Sequence, residues 1–322
     1  MQGTGAWPDA VEEILEGDHA VGLAYVTPAG GAVITPVTNF ALQDRQAGTI
    51  AVNSSIGAWR KLDRMRRNPR VAVAFHTRTH ALTERPEYVL VQGTASFPWP
   101  PDRDSWFEEM DGKWQRPGML PREVGPLWER WMSVYHWRVN VRIAVERVVV
   151  WPDLACRGSA EVHGAPLPDE PAAEQAPPKL GTGPRVNHRR AAKQARRLPH
   201  VLLGWVGADG FPMVVPVEAG GVVDRGVELE LPAGVTPPPG GRRAGLTGHW
   251  FTKGVIGQEQ RVHTGWLEVG ADGHAVYAPH TKVGYLMPKS KLVYRIVVGF
   301  ETRRRLRAGR RAGVIPGATS RT

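Results

Sequence analysis

The chain has 322 residues, 42% of them apolar, with 12 tryptophans, a single cysteine and a formal net charge of +10. This length suits two domains that each bury a core, and no apolar run approaches the length of a membrane-spanning helix. The lone Cys156 excludes an intramolecular disulfide and any cysteine-based zinc site.

The N-terminal segment, MQGTGAWPDAVEEILEGD, is acidic and lacks the basic and apolar regions of a signal peptide, so a cytoplasmic protein with no membrane partner is expected. Domain one is read over residues 6–153. It opens with a helix over Asp9–Glu16, with acids in its first turn and Gly17 to end it. Strands are expected at about Ala20–Val26, Ala32–Leu42, Thr49–Asn53, Val71–His76, Tyr88–Phe97 and Val139–Trp151. A Trp-rich stretch, Trp99 to Trp137, lies between the last two and contains a helix at Arg122–Tyr135 that is expected to pack on the strands. Short strands with one or two helices predict a small antiparallel barrel.

Residues 154–198 read as a linker, rich in Pro and Ala to Pro184 and then basic, with a short helix over Asn187–Arg197. Domain two follows over residues 199–300 and ends with a strand at Val293–Phe300. Residues 301–322 are expected to form a basic disordered tail that cofactor binding does not need. Arg185 to Arg197 carries six Lys/Arg and Thr302 to Thr322 seven, with no acid in either, so linker and tail exceed the whole net charge. A solvated run explains them, and no nucleic-acid role is expected beyond weak attachment of the tail to polyanions.

The two domains repeat. Ala20 to Val37 aligns without a gap on His200 to Val217: Leu23, Val26, Gly30, Pro36 and Val37 return as Leu203, Val206, Gly210, Pro216 and Val217. RVAVAFH, ending at His76, returns as RAGLTGH, ending at His249, and Gln92-Gly93 returns as Thr264-Gly265. Each first segment is a hairpin signal, two β-branched runs around a glycine turn. The predicted class is therefore mainly β, two tandem barrels with flanking helices.

The copies differ between the third and fourth strands. Domain one has NSSIGAWRKLDRMRRNPR, starting at Asn53. Asn53, Ser54 and Ser55 leave a strand with small hydrogen-bonding side chains, Gly57 permits a tight turn, and Trp59, Arg60 and Lys61 lead into a helix, Lys61–Arg67, stopped by Asn68-Pro69. Hydroxyls, a helix start and an Arg-Lys pair make a phosphate site; the same run also reads as an amphipathic connector whose arginines face water. Domain two has LPAGVTPPPGGRR instead, from Leu231 to Arg243, with no Ser, no Lys and a proline run that cannot form that helix.

Over Ala20 to Gly93 the chain resembles the pyridoxamine 5′-phosphate oxidase-like superfamily of FMN-binding split β-barrels, which includes flavin- and deazaflavin (F420)-dependent reductases. The resemblance rests on the Pro36-Val37 strand, Thr49 to Ser55, Arg60-Lys61, Asn68-Pro69-Arg70 and Val71–Phe75. It implies phosphate-binding roles for Ser54 or Ser55 and for Arg60 and Lys61. It also implies a cofactor at the boundary between two barrels, so that the fused pair resembles a family dimer made from one chain, a monomeric pseudo-dimer or a homodimer of such chains. Two departures put vitamin B6 oxidation in doubt: VTNFALQ, Val37 to Gln43, lacks the family's Arg and Lys, and Tyr88 stands where a Gln is expected.

The expected function is oxidoreductase chemistry on a small organic substrate with FMN, or alternatively F420, whose acidic tail Arg64, Arg66 and Arg67 would suit. The other reading is a non-catalytic flavin- or haem-binding protein, with His76 the only haem-ligand candidate. Domain two would supply part of the ring's wall, with Trp250 and Trp266 as candidates. No catalytic side chain and no metal site is identified.

Overall fold

The computed structural model describes residues 7–101, 106, 108–110, 125–132, 137–255 and 257–315. Barrel one contains α1 (Asp9–Gly17), β1 (Ala20–Val26), β2 (Ala32–Thr38) and β3 (Thr49–Ser55). A 3₁₀ turn (Ile56–Ala58) and α2 (Trp59–Arg67) lead to β4 (Arg70–Phe75), β5 (Tyr88–Ser96), α3 (Pro126–Met132) and β6 (Arg138–Trp151). The rest of the helix expected over Arg122–Tyr135 lies outside the described residues. Next come β7 (Glu161–Gly164), α4 (His188–Arg197), β8 (His200–Val206), β9 (Pro212–Pro216), β10 (Glu218–Val223) and β11 (Gly226–Glu230). The chain continues through β12 (Gly240–Phe251), β13 (Gln258–Val269), β14 (Ala275–Pro279), β15 (Val283–Met287) and α5 (Lys291–Arg311).

Both sheets are antiparallel and have one plan. The first runs β2-β1-β4-β5-β6-β3 and the second β9-β8-β12-β13-β14-β11, with β10 added at its edge. In each, the inward residues of successive strands meet in one cluster. Val21, Leu23, Val52, Val73, Val91 and Val141 share the first core, and Leu203, Val215, Leu229, Leu246, Leu267 and Tyr277 share the second. A sheet whose strands all face one cluster must curl around it.

The repeats extend to single glycines. The β1–β2 turn is closed by Thr27 N–H donating to Gly31 O at 2.8 Å, and the β8–β9 turn by Gly207 N–H donating to Phe211 O at 2.8 Å. Gly30 and Gly210 take φ of 78° and 82°, a conformation that a Cβ disfavours. A Cβ on Gly93 would fall on the carbonyl oxygen of Ala144 in β6, and one on Gly265 on that of Ala278 in β14.

The barrels share a core through their outer faces, where Ala24, Ile34, Ala72, Ala74, Tyr88 and Leu90 of barrel one meet Leu202 and Val214 of barrel two. Ile34 and Val214 are repeat mates, and each carbonyl accepts across the boundary: Thr247 Oγ1 donates to Ile34 O at 2.9 Å and Tyr88 Oη to Val214 O at 2.6 Å.

Three expectations from the sequence are corrected. Val293–Phe300 is no strand; it lies inside α5, which extends through the stretch read as a disordered tail as far as Arg311. Its β-branched residues favour a strand locally, but Val298, Thr302, Leu306 and Gly309 are buried along one helical face, and that packing overrides the propensity. Gly313, at φ 68°, closes the helix as Val314 N–H donates to Gly309 O at 3.1 Å.

The segment read as a linker is docked. β7 pairs with β6, and Gln175 N–H donates to Gly241 O at 2.8 Å while its side chain reaches Gly30 O at 3.0 Å. Helix α4, capped by Asn187 Oδ1 accepting from Arg190 N–H at 2.8 Å, buries Ala191, Ala192 and Ala195 and contributes Ala192 to the second core. It precedes β8 as α1 precedes β1, so barrel two begins before residue 199.

Candidate functional site

The chain leaves β3 through Asn53, Ser54 and Ser55 and turns at once into the 3₁₀ turn and α2. Ser55 Oγ caps that turn by accepting from Gly57 N–H at 3.1 Å, which leaves its own O–H available as a donor. Gly57 matters for space: a Cβ there would stand 3.3 Å from Ser55 Oγ and 3.4 Å from Arg305 Cβ of α5. Leu62 and Met65 bury the inner side of α2 in the first core. That packing fixes Lys61, whose side chain turns inward beside Arg138 at the start of β6.

Asn53 organises this end. Its Nδ2 donates to Asn140 Oδ1 at 2.8 Å and its Oδ1 accepts from Arg138 Nε, so the guanidinium is held by a buried amide. Lys61 and Arg138 are each only 9% exposed. Among the described residues no carboxylate pairs with Lys61. Burial, and then the charge of Arg138, push its ammonium down from 10.5 to about 7.

These groups stand at one end of a cavity of about 760 Å³, which falls in the range of roughly 300–1,000 Å³ usual for small-molecule and cofactor sites. All six residues singled out from the sequence, Asn53, Ser54, Ser55, Trp59, Arg60 and Lys61, line it. Arg60 is exposed at the mouth and lies over the Trp59 ring at 5.0 Å. Arg64 also lines the cavity, whereas Arg66 lies over Trp99 and Arg67 pairs with Asp63 outside it.

The opposite wall comes from barrel two. Trp250, Gln260 and Thr264 face in from β12 and β13, and Tyr285 from β15. Gln260 is the repeat mate of Tyr88, and its Nε2 is held by Pro36 O at 3.2 Å and Tyr285 Oη at 2.9 Å. The glutamine missing at position 88 is thus present at the equivalent position of the other barrel. Trp266 is not in the wall; it is buried elsewhere in barrel two, with its Nε1 donating to Glu268 at 2.8 Å.

Helix α5 roofs the cavity with Tyr294, Val298, Thr302, Arg304 and Arg305. Among the described residues the lining then holds six cations, Arg60, Lys61, Arg64, Arg138, Arg304 and Arg305, against one carboxylate. That carboxylate, Glu301, is already paired with Arg304 and Arg305. Such a site favours a ligand with concentrated negative charge at the α2 end. Sequence reasoning missed Arg138, Arg304 and Arg305. Arg138 sits in an ordinary strand pattern, and the other two sit in the run read as a tail.

The equivalent place on barrel two is covered by chain. Its β11–β12 connection has no helix; Gly234 N–H donates to Cys156 O at 3.0 Å, and Trp151 Nε1 donates to Gly234 O at 3.4 Å.

His76 does not line the cavity. Its Nδ1 lies 3.0 Å from Ala74 O and its Nε2 lies 2.7 Å from His249 Nε2, so neither nitrogen is left for an iron. Among the described residues no group of three or more His, Cys, Asp and Glu is placed to hold a metal ion.

No family model and no curated protein matches this chain. Solved structures similar to it include a protein from Clostridium acetobutylicum, described as related to general stress protein 26 of the pyridoxinephosphate oxidase family. It is 11% identical, covering 48% of this chain and 91% of its own, with a TM-score of 0.33. A conserved hypothetical protein from Mycobacterium tuberculosis is 21% identical over 48% of this chain and 91% of its own, at a TM-score of 0.34. An F420 reductase is 15% identical over 44% and 98%, at 0.32.

Proposed function

We propose that this cavity holds one phosphate-bearing flavin-type cofactor, FMN, and that the protein is an oxidoreductase acting on a small organic substrate as a single-chain pseudo-dimer. One observation carries the reading: Lys61 is buried at the Ser54–Ser55 end of the cavity, and among the described residues no carboxylate pairs with it. A buried ammonium is unfavourable unless an anion joins it, and a phosphate between Lys61 and the Ser54–Ser55 hydroxyls would meet that need. When bound, the cofactor supplies hydride transfer. The chain's own part is to anchor the phosphate from barrel one, to set the ring against the wall of barrel two, and to keep water off it with α5.

Arg64, Arg304 and Arg305 favour F420 as a second reading, because three further cations around the cavity suit an acidic tail. The test is titration of purified protein with FMN and with F420, followed by absorption and fluorescence, on wild type and on Lys61→Ala. Saturable binding of one cofactor that is lost in the variant supports the reading. A folded wild type that binds neither overturns it. Turnover with a reduced cofactor then separates an oxidoreductase from a cofactor-sequestering protein.

A further inference from the structure

Helix α5 has a second face, pointing away from the cavity. Nine large apolar side chains are exposed among the described residues, and six of them belong to β15 and α5. On α5 these are Leu292, Val293, Ile296 and Phe300, whose spacing puts them on one side of the helix. The same stripe continues as Arg307 and Arg311, both exposed. Its near end carries Lys289 and Lys291, also exposed. The outer face of the helix is therefore an apolar patch of about two turns between two cationic ends.

Phe300 meets the Trp131 ring edge-on at a centroid distance of 5.0 Å, yet most of its surface stays exposed. Exposed apolar side chains gathered in one place mark a surface that meets something else. A lysine at a helix start is disfavoured by the helix dipole, yet α5 has no acid in its first turn. The only acid on α5, Glu301, is half-buried and bound to Arg304 and Arg305.

We infer that α5 docks flat on an anionic lipid surface, with Leu292, Val293, Ile296 and Phe300 in the acyl boundary and the flanking lysines and arginines among the headgroups. A bilayer interface offers both an apolar layer and, directly above it, a plane of negative charge, which is the order found across this face. The same face of a second copy would complement it poorly: α5 carries a single acid, Glu301, already paired with Arg304 and Arg305, and each chain carries +10. The contact is peripheral, since among the described residues no helix is long and apolar enough to cross a membrane. It runs counter to the expectation, drawn from the sequence, that the protein has no membrane partner.

The test is co-sedimentation of the full-length protein with phosphatidylcholine vesicles, with and without phosphatidylglycerol. Partitioning onto the anionic vesicles should exceed that onto neutral ones by at least about tenfold and should weaken as salt is raised. The triple variant Leu292→Ser, Ile296→Ser, Phe300→Ser should lower it by at least about tenfold with unchanged circular dichroism. Should that variant misfold, Phe300→Ser alone serves, because this side chain is 62% exposed. Arg307→Gln with Arg311→Gln should flatten the salt dependence.

Three results would overturn the inference. One is failure to bind anionic vesicles, and another is binding that the serine variants leave intact. The third is a concentration-dependent dimer that those variants dissolve, which would give the face to a second copy. Retention only by an acidic polypeptide and not by vesicles counts against it equally.

Discussion

His76 and His249 hold the same place in the two repeats and meet across the barrel boundary, Nε2 to Nε2, at 2.7 Å. Because Ala74 O can only accept, His76 carries its proton on Nδ1, and its Nε2 accepts from His249. His200 adds a third ring, tilted against His249 at a centroid distance of 5.1 Å.

This cluster predicts acid sensitivity. Burial pushes His76 down from 6.5 to about 3 and His200 to about 4, and His249 is pushed down as well, first by burial and then by its neighbours. The unfolded chain thus binds more protons below about pH 6.5, and stability should fall from there until the folded groups titrate near pH 3 to 4. Denaturant melts of wild type and of His76→Asn/His249→Gln at several pH values check this. The variant should lose part of the slope; an identical slope would remove the histidines from the account.

Lys61 gives the same sign in a higher pH window. With its ammonium lowered to about 7 from 10.5, the unfolded chain binds the extra proton between those values, so stability of the ligand-free protein should rise with pH across that window. Lys61→Met should be more stable than wild type near pH 7, lack this rise, and bind the cofactor at least about tenfold more weakly. The double change Arg60→Ala/Lys61→Ala should cost at least about a hundredfold in affinity, measured by fluorescence titration. Unchanged affinity in a folded double variant would move the phosphate elsewhere.

The roof helix is part of barrel one's core. Leu306 is 3% exposed and clusters with the first core, so Leu306→Ala should lower stability by about 2–5 kcal/mol. Ending the chain at Phe300 should remove the cofactor as well as the roof. Calorimetric scans with and without cofactor read both effects.

Gly93 and Gly265 offer a matched pair. Each Cβ would meet a backbone oxygen of the neighbouring strand, which cannot swing aside as a side chain can. Gly93→Ala and Gly265→Ala should each destabilise by at least about 1–3 kcal/mol. A harmless substitution at either would break the equivalence of the two barrels.

Stoichiometry tests the closed half. Calorimetry should give one cofactor per chain, since the barrel-two counterpart of the anchor is filled by Gly234 and the Cys156 turn. Two equivalent sites would contradict that.

The parts of this fold that showed in the sequence are those set by local stereochemistry. Gly30 and Gly210 mark turns needing positive φ, Asn68-Pro69 stops a helix, and alternating valines build strands. The residues at one end of the cavity showed for the same reason: the serines, glycine and Arg-Lys pair lie within a few residues of one another. What did not show depends on distant partners. Val293 to Phe300 reads as a strand until Trp131 and the cavity are placed against it, because Gly299 lets the Trp131 ring approach where a Cβ would clash. Arg138 joins Lys61 only through the pairing of β3 with β6. The docked linker is invisible to composition, since Gln175 meets Gly30 and Gly241 only after both barrels have formed.

Joining the two barrels in one chain changes how the cavity responds to dilution. A cavity built between separate subunits is lost as protein concentration falls below the dissociation constant of the pair. Here anchor and wall are tethered and share a buried core, so their meeting is intramolecular and independent of concentration. The tether also frees the halves from symmetry. In a dimer of identical subunits every substitution is made twice, once in each site; in this chain a change at Trp250 alters the wall of the open cavity and leaves its repeat mate Thr77 untouched.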